Sequence, residues 1–141
     1  MGGPSQGVRS VGGGETILVV EDEEELLRLI GRVLRRAGYA VLTAGHATSA
    51  LELAKHYDDR IHLLLTDVVM PGRTGKELWE EFRLQRSDAR VLFMSGYAQN
   101  ILGEQVSLGP DTPLISKPFS ARELELKIRE VLDRKRRKPG E

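Results

Sequence analysis

The sequence predicts an α/β domain built on a parallel β-sheet, and three observations support this prediction. Short apolar runs alternate with longer segments of helical periodicity, a pattern that is typical of repeated βα units. Five such units follow one another along 141 residues. The chain is 40% hydrophobic, which suffices for one core of ordinary size. We therefore expect a single domain in which helices surround a parallel sheet.

Three of the predicted strands are apolar without alternation, as expected of strands that helices cover on both faces. They lie at residues 16–20, 63–66 and 91–94, and we expect them at the centre of the sheet. Shorter runs at residues 40–43 and 113–115 suit the two edges.

Helices are predicted from apolar spacing and from signals at their ends. Gly38 is expected to end the first helix, and His46 marks the start of the second. Thr74 caps the third, while Ser120 and Glu123 form a capping box for the last. The residues predicted to face the core are Leu26, Ile30, Val33, Leu34, Ala37, Ala47, Ala50, Leu51, Ala54, Leu78, Phe82, Leu124, Ile128, Val131 and Leu132.

The weakest helical pattern lies at residues 98–107. Gly103 interrupts it, and Gly109 and Pro110 end it. We expect a fourth helix there that is short and mobile.

The two ends of the chain differ in composition from the predicted domain. Residues 1–14 are rich in glycine and lack apolar periodicity, so we expect a flexible linker or a cloning remnant. The domain is expected at residues 15–134. A basic tail follows at residues 135–141.

Composition excludes several classes of function. Lys and Arg total 21 and Asp and Glu total 21, so no global field favours nucleic acid or an anionic membrane. The absence of cysteine excludes disulfides and thiolate chemistry. No segment approaches the roughly 18 apolar residues of a membrane span. We therefore expect a cytoplasmic protein that contacts neither nucleic acid nor membrane directly.

Polar residues collect where the predicted strands end. Glu21 and Asp22 follow the first strand, Asp67 follows the third, Ser95 closes the fourth, and Lys117 follows the fifth. The carboxyl ends of parallel strands share one edge of the sheet, where ligands bind. The sequence thus predicts that these five side chains meet at one rim.

Three carboxylates at one rim repel one another unless a cation joins them. Because the available ligands are all oxygen atoms, Mg²⁺ is favoured over Zn²⁺. A carboxylate beside Mg²⁺ can attack a phosphoryl group, and Asp67 is the predicted nucleophile. Lys117 would supply a nearby cation, and the Ser95 hydroxyl would donate a hydrogen bond to a phosphoryl oxygen.

Four motifs carry a family resemblance. VVEDE at 19–23, TDVVMPGRTG at 66–75, MSG at 94–96 and KPF at 117–119 resemble the response-regulator receiver family. The resemblance extends over residues 15–134 and is greatest to the C-terminal receivers of hybrid sensor histidine kinases. It implies a flavodoxin-like, doubly wound (βα)5 fold with strand order 2-1-3-4-5.

The resemblance also implies roles for single residues. Asp67 is the phosphoacceptor, Ser95 the switch hydroxyl, and Lys117 the family's lysine, which precedes a cis bond to Pro118. The implied metal ligands are Asp22, Asp67, the carbonyl of Val69 and Glu21, which either binds through water or only shapes the pocket. Gly72 and Gly75 are interpreted as turn residues.

The chain departs from the family pattern at two places. Leu114 stands three positions before the lysine, where receivers often carry an aromatic residue. Val69 and Tyr97 lie two places beyond Asp67 and Ser95, and neither can orient an attacking water. We therefore predict slow self-dephosphorylation and a signal that does not travel through an aromatic rotamer.

The main functional prediction is a signalling switch rather than an enzyme acting on an outside substrate. Its partner would be a histidine kinase or a histidine phosphotransfer domain. A homodimer through the fourth helix, the fifth strand and the last helix, with Leu126 at the interface, is a further expectation. The alternatives are a Mg²⁺-dependent phosphohydrolase and a pseudo-receiver that only binds partners.

Overall fold

The computed structural model describes residues 13–96 and 111–134. Its parallel sheet has five strands in the order β2-β1-β3-β4-β5. The strands are β1 (Thr16–Val20), β2 (Ala40–Ala44), β3 (Leu63–Asp67), β4 (Arg90–Ser95) and β5 (Leu114–Ser116). The helices of the described residues are α1 (Glu24–Arg36), α2 (Ala47–His56), α3 (Gly75–Gln85) and α4 (Ala121–Asp133).

This architecture confirms the predicted fold class and strand order. The strands predicted from continuous apolar runs lie at the centre, and β1 and β3 are buried along their whole length. The weaker runs form the edge strands β2 and β5. Most strand ends differ from the predicted ends by one residue. The hydrogen bonds between strands continue into polar residues such as Asp67 and Ser95, so β3 and β4 are longer than predicted.

Two layers of apolar side chains cover the sheet, one on each face. On one face Ile30 and Leu34 of α1 pack with Ile128 of α4, and all three are at most 1% exposed. On the other face Leu78 and Phe82 of α3 are fully buried. The sheet is therefore sealed on both faces, and polar chemistry is confined to its edges and ends.

The helix ends follow the predicted signals. Gly38 has a φ of 103° and its N–H donates to the carbonyl of Arg35 over 3.1 Å. The N–H of Tyr39 donates to Leu34, so α1 ends in a Schellman motif that glycine accommodates without strain. The side chains of His46, Thr74 and Ser120 accept from the first turns of α2, α3 and α4, and those of Thr74 and Ser120 form capping boxes.

Arginine side chains close the amino-terminal edge of the sheet, where the helices end. The Arg86 guanidinium donates to Ala54 over 2.7 Å, to Asp59 over 2.8 Å and to Tyr57, all of them backbone carbonyls. It therefore binds the unpaired carbonyls at the end of α2. Arg90 does the same for α4, donating to the carbonyl of Val131 over 2.9 Å.

A third arginine joins the start of β1 to α4. Arg129 Nη2 lies 2.8 Å from Glu15 Oε2 and 2.8 Å from Asp133 Oδ1. Its Nη1 is 3.4 Å from the hydroxyl of Tyr39. Mainly through the hydrogen bond from Arg129, the pKa of Glu15 falls to about 2.

Several predicted segments lie outside the described residues. These are the fourth helix at residues 98–107, the tail at 135–141, Tyr97, and the linker apart from residues 13 and 14. The predicted cis bond between Lys117 and Pro118 is confirmed. Across residues 13–96 and 111–134, no helix combines the length and the apolar character needed to span a membrane.

Candidate functional site

The carboxyl edge of the sheet brings together three carboxylates that are far apart in sequence. Glu21 and Asp22 directly follow β1, and Asp67 is the last residue of β3, the strand paired with β1. One carboxylate oxygen from each of the three lies within 4.8 Å of the others. The predicted acidic cluster therefore exists, at the switch in strand order between β1 and β3.

Lys117 bridges two of these carboxylates. Its Nζ lies 2.7 Å from Asp67 Oδ1 and 2.7 Å from Glu21 Oε1. The Lys117 backbone N–H donates to the carbonyl of Ser95 over 2.7 Å, so the end of β4 anchors the lysine. The structure thus places the lysine in the carboxylate cluster, as predicted.

Glu21 is more enclosed than its position after a strand suggested. It is 2% exposed, and its second oxygen, Oε2, accepts from the backbone N–H of Glu23 over 2.9 Å. Both oxygens of Glu21 therefore have partners within the protein, and one of them orients Lys117. Asp22, in contrast, is exposed and open to solvent at the rim.

Burial and charge set the proton affinity of the cluster. Burial, together with the nearby Glu21 carboxylate, raises the pKa of Asp67 to about 7 against the opposing pull of Lys117. For Glu21, burial acts in the same direction, but the hydrogen bonds with Lys117, Asp67 and the Glu23 backbone together outweigh it and lower the pKa. Burial lowers the pKa of Lys117, and its two carboxylate partners more than reverse this effect.

Gly75 determines how closely α3 approaches the cluster. A Cβ atom at Gly75 would lie 1.9 Å from the backbone oxygen of Asp67 and 3.0 Å from its carbonyl carbon. The Gly75 N–H donates to the carbonyl of Val68 over 2.7 Å, which holds the helix start against the end of β3. The interpretation of Gly75 as a turn residue was wrong, because it begins α3 and has no positive φ.

Gly72 agrees with its interpretation as a turn residue, with a φ of 85° and open space around the missing side chain. Sequence reasoning missed the packing role of Gly75. The available signal was a glycine directly after the helix cap Thr74, three residues beyond Gly72. Such a position has no need of a positive φ and so favours a contact explanation.

Two further predicted site residues lie at the same rim. Ser95 ends β4 beside the β3 terminus and is 4% exposed, with its Oγ 3.5 Å from the carbonyl of Gly96. Val69 lies in the loop between β3 and α3 and is 37% exposed.

The donor set suits a hard cation. The cluster offers carboxylate oxygens, and the described residues place no cysteine or histidine in it. Asp67 Oδ1 is buried and has no partner with hydrogen-bond geometry among the described residues, although the Lys117 ammonium lies at ion-pair distance. Three carboxyl groups share one ammonium, so the cluster offers more oxygen ligands than Lys117 can pair with, which fits Mg²⁺.

The fold and the site together define a doubly wound α/β domain with an acidic, lysine-bridged centre. Residues 17–129 match the family model for the response regulator receiver domain. The chain belongs to that family, which acts in two-component signalling.

The chain covers very different fractions of the length of its relatives. It is 33% identical over 116 residues to the response regulator receiver protein CpdR of Brucella abortus, covering 82% of this chain and 95% of that one. It is 31% identical over 122 residues to the sensor kinase CckA of the same organism, covering 86% of this chain but 13% of that kinase. The chain spans about half of several transcriptional regulators, such as 48% of PhoP of Bacillus subtilis.

Solved structures show the same similarity. The receiver domain from the hybrid histidine kinase CckA superposes with a TM-score of 0.69 at 30% identity, covering 84% of this chain and 99% of that one. A CheY-like receiver domain protein from Methanospirillum hungatei gives a TM-score of 0.70 at 28% identity, covering 86% and 95%.

Proposed function

We propose that this domain accepts a phosphoryl group on Asp67 from a phosphohistidine donor, with Mg²⁺ bound at the acidic cluster. The observation that carries the proposal is the position of the Asp67 carboxylate. It is 1% exposed, lies within a cluster of three carboxylates, and has the Lys117 ammonium 2.7 Å away. A structural ion pair would need neither the excess negative charge nor the exposed Asp22 beside it.

The reaction is a transfer between two nucleophiles. An Asp67 carboxylate oxygen forms a bond to phosphorus while the bond from phosphorus to the donor imidazole nitrogen breaks, and the electron pair leaves with the imidazole. The Lys117 ammonium lies where it can pair with the oxygens of the transferred group. When bound, Mg²⁺ would neutralise charge on those oxygens.

The other rim residues have supporting roles in this proposal. Asp22 and Asp67 would hold the metal together with the Val69 carbonyl. Glu21 would contribute by orienting Lys117, and it would either contact the metal through water or only shape the pocket. The Ser95 hydroxyl would donate to a phosphoryl oxygen and draw its loop inward, which is a local event that biases a two-state element.

Two neighbours of the site shape its output. Val69 cannot direct a water molecule onto the phosphoryl group, so the phosphorylated state should persist. Leu114 is 38% exposed and cannot reproduce the ring movement of an aromatic residue. We infer that the signal leaves through the loop after Ser95.

The partner and context belong to the same proposal. The donor would be a histidine kinase or a histidine phosphotransfer domain, and the domain would work in the cytoplasm as a switch, not as an enzyme with its own substrate. Residues 15–134 would form the receiver, preceded by a linker at 1–14 and followed by a basic tail at 135–141. The match of residues 17–129 to the family model supports these bounds.

A homodimer would use β5, the last helix α4 and the predicted helix at residues 98–107, which lies outside the described residues. Leu126 is 55% exposed, and it lines a groove of about 500 Å³ with Leu114, Pro118 and Phe119. Sedimentation velocity with and without beryllofluoride would test this. A monomer in both conditions would contradict it.

The intact mass after incubation with acetyl phosphate and Mg²⁺ tests the main proposal. We expect one added phosphoryl group that is absent in Asp67→Asn and retained in Asp58→Asn, an exposed aspartate that serves as the control. Chelating Mg²⁺ with EDTA should abolish the addition.

Other outcomes identify the alternatives. Rapid release of phosphate without a stable adduct indicates a phosphohydrolase. A folded protein that never gains mass indicates a pseudo-receiver. Substituting Val69→Asn should shorten the lifetime of the adduct, and an unchanged lifetime would contradict the role given to Val69.

A further inference from the structure

A groove rich in arginine lies at the outer edge of the sheet, between helix α1 and the edge strand β2. It has a volume of about 540 Å³ and is lined by Glu24, Leu27, Arg28, Arg32, Arg35, Arg36 and Thr43. From Arg28 to Arg36 the arginines extend about 12 Å along the helix. The chain as a whole has a formal net charge of zero, so this basic excess is local.

Most of this positive charge is unmatched in the described part of the chain. Arg28 lies 3.7 Å from Glu24, and the two side chains are 61% and 80% exposed. Arg32, Arg35 and Arg36 are exposed and form no ion pair with any described residue. Exposed guanidinium groups of this kind bind carboxylates bidentately.

The backbone of β2 offers a second kind of contact. The Ala40 N–H donates to Glu15 and the Ala44 carbonyl accepts from Glu21, so residues 40, 42 and 44 pair with the β1 side. The polar backbone groups of Val41 and Thr43 therefore face outward from the edge of the sheet. They can pair with an additional strand.

The arginine groove and the unpaired backbone of β2 lie close enough to contact the same added strand. The Val41 side chain packs against the apolar cluster that includes α1, and Thr43 shares its orientation because side chains alternate along a strand. Alternate side chains of a strand added next to β2 would point to the same face, under the arginines of α1. Acidic residues at those alternate positions would match both features at once.

We propose that the edge of β2 is a docking site for an extended, acidic segment of a partner protein. The segment would add a sixth strand and place its carboxylates against Arg28, Arg32 and Arg35. This surface is separate from the phosphoacceptor rim, and the proposal does not depend on phosphorylation.

Other occupants match the surface less well. A polynucleotide has no peptide N–H and C=O groups that could pair with the outward-facing backbone of Val41 and Thr43. A small ligand would find one apolar side chain, Leu27, in the groove, whereas small-molecule sites are mostly apolar.

The test uses the full chain and a fluorescent eight-residue peptide that alternates glutamate and threonine. We expect saturable binding that weakens with salt, and NMR shifts at the amides of Val41 and Thr43. The double substitution Arg32→Glu and Arg35→Glu should weaken binding at least about tenfold. The matched control, Arg83→Glu with Arg122→Glu, reverses two exposed arginines elsewhere and should change affinity less than about twofold.

A second probe separates strand pairing from charge attraction. The same peptide with N-methyl groups on alternate amides keeps its carboxylates but cannot pair along one edge, and we expect it to bind at least about tenfold more weakly. Equal binding of the methylated peptide overturns the proposal. So does tighter binding of a twelve-residue oligothymidylate or of phosphatidylserine vesicles, or no binding of the first peptide at millimolar concentration.

Discussion

Charged residues lie at both ends of the strands, but their charges are matched at one end and unmatched at the other. At the amino-terminal edge, Arg129 pairs with two carboxylates, and Arg86 and Arg90 bind the carbonyls at helix ends. At the carboxyl edge, three carboxylates share one ammonium. One edge lowers the pKa of its glutamate, and the other raises the pKa of its aspartate.

This difference separates charges that stabilise the fold from charges that serve chemistry. A carboxylate in a matched pair prefers its charged form in the folded protein, so it adds to the free energy of unfolding. A buried carboxylate among like charges prefers to be neutral, and folding retains it at a cost until a cation or a phosphoryl group arrives. Neutralising a carboxylate should therefore change the free energy of unfolding in opposite directions at the two edges.

The largest effect is expected from Gly75→Ala, which would force the start of α3 away from Asp67. The added Cβ would lie 1.9 Å from a backbone oxygen, so no side-chain rotation can relieve the clash. We expect the free energy of unfolding in urea to fall by about 3 kcal/mol. Gly45→Ala is the matched control, because nothing lies within 4 Å of its Cβ position. Equal losses in the two variants would contradict the close approach.

Arg86→Met should give the next largest loss, about 2 kcal/mol in the free energy of unfolding. The methionine keeps the apolar part of the side chain but leaves the carbonyls of Ala54, Tyr57 and Asp59 without their charged donor. Arg83→Met on the same helix is the control, since Arg83 is exposed, forms no ion pair with any described residue, and lies 5.4 Å from the centre of the Trp79 ring. We expect that control to lose about 0.5 kcal/mol. Hydrogen exchange at the end of α2 should accelerate in Arg86→Met alone.

These two predictions concern contacts that the sequence did not predict, and the reason is the same for both. The acceptors of Arg86 are up to 32 positions away, and the clash at Gly75 arises where α3 crosses the end of β3. Neither relation leaves a local pattern. The sequence predicted that Lys117 and Glu21 lie at one rim, but their direct hydrogen bond, across 96 positions, appears only in the folded chain.

The residues that the sequence did identify share a different property. Gly38, Thr74 and Ser120 act on the turn next to them, so a local pattern is enough to predict their role. Asp67 and Lys117 were found because parallel strands all end at one edge, which converts positions in the chain into proximity in space. Strand order itself came from family resemblance, because apolar periodicity does not encode which strands pair.

Asp67→Asn should raise stability by about 1 kcal/mol at pH 8 in EDTA, because it removes a buried charge from a crowded site. The pKa of Asp67 is raised from 3.8 to about 7, so the folded state binds the proton more tightly than the unfolded state. The cost of ionisation is therefore absent below pH 4 and complete above pH 7. The gain from the substitution should grow across that range, as measured by urea unfolding. Mg²⁺ should stabilise the original chain at pH 8 and leave the stability of Asp67→Asn unchanged. A loss of stability in Asp67→Asn without Mg²⁺ would contradict the excess of negative charge at the carboxylate cluster.

Glu15→Gln at the opposite edge should act in the reverse direction and with the smallest effect, a loss of about 0.5 kcal/mol at pH 7. Its partner Arg129 lowers the pKa of Glu15 from 4.5 to about 2, so the pair stabilises the fold fully above pH 4.5. That contribution disappears as the pH falls toward 2. The difference in unfolding free energy between the two proteins should therefore shrink as the pH falls from 4.5 toward 2. The effect of Asp67→Asn has the opposite sign and changes between pH 3.8 and about 7. Glu80→Gln, an exposed glutamate outside any ion pair of the described residues, is the control and should show no such change. Parallel pH profiles for Glu15→Gln and Asp67→Asn would mean that the two edges do not differ in charge balance.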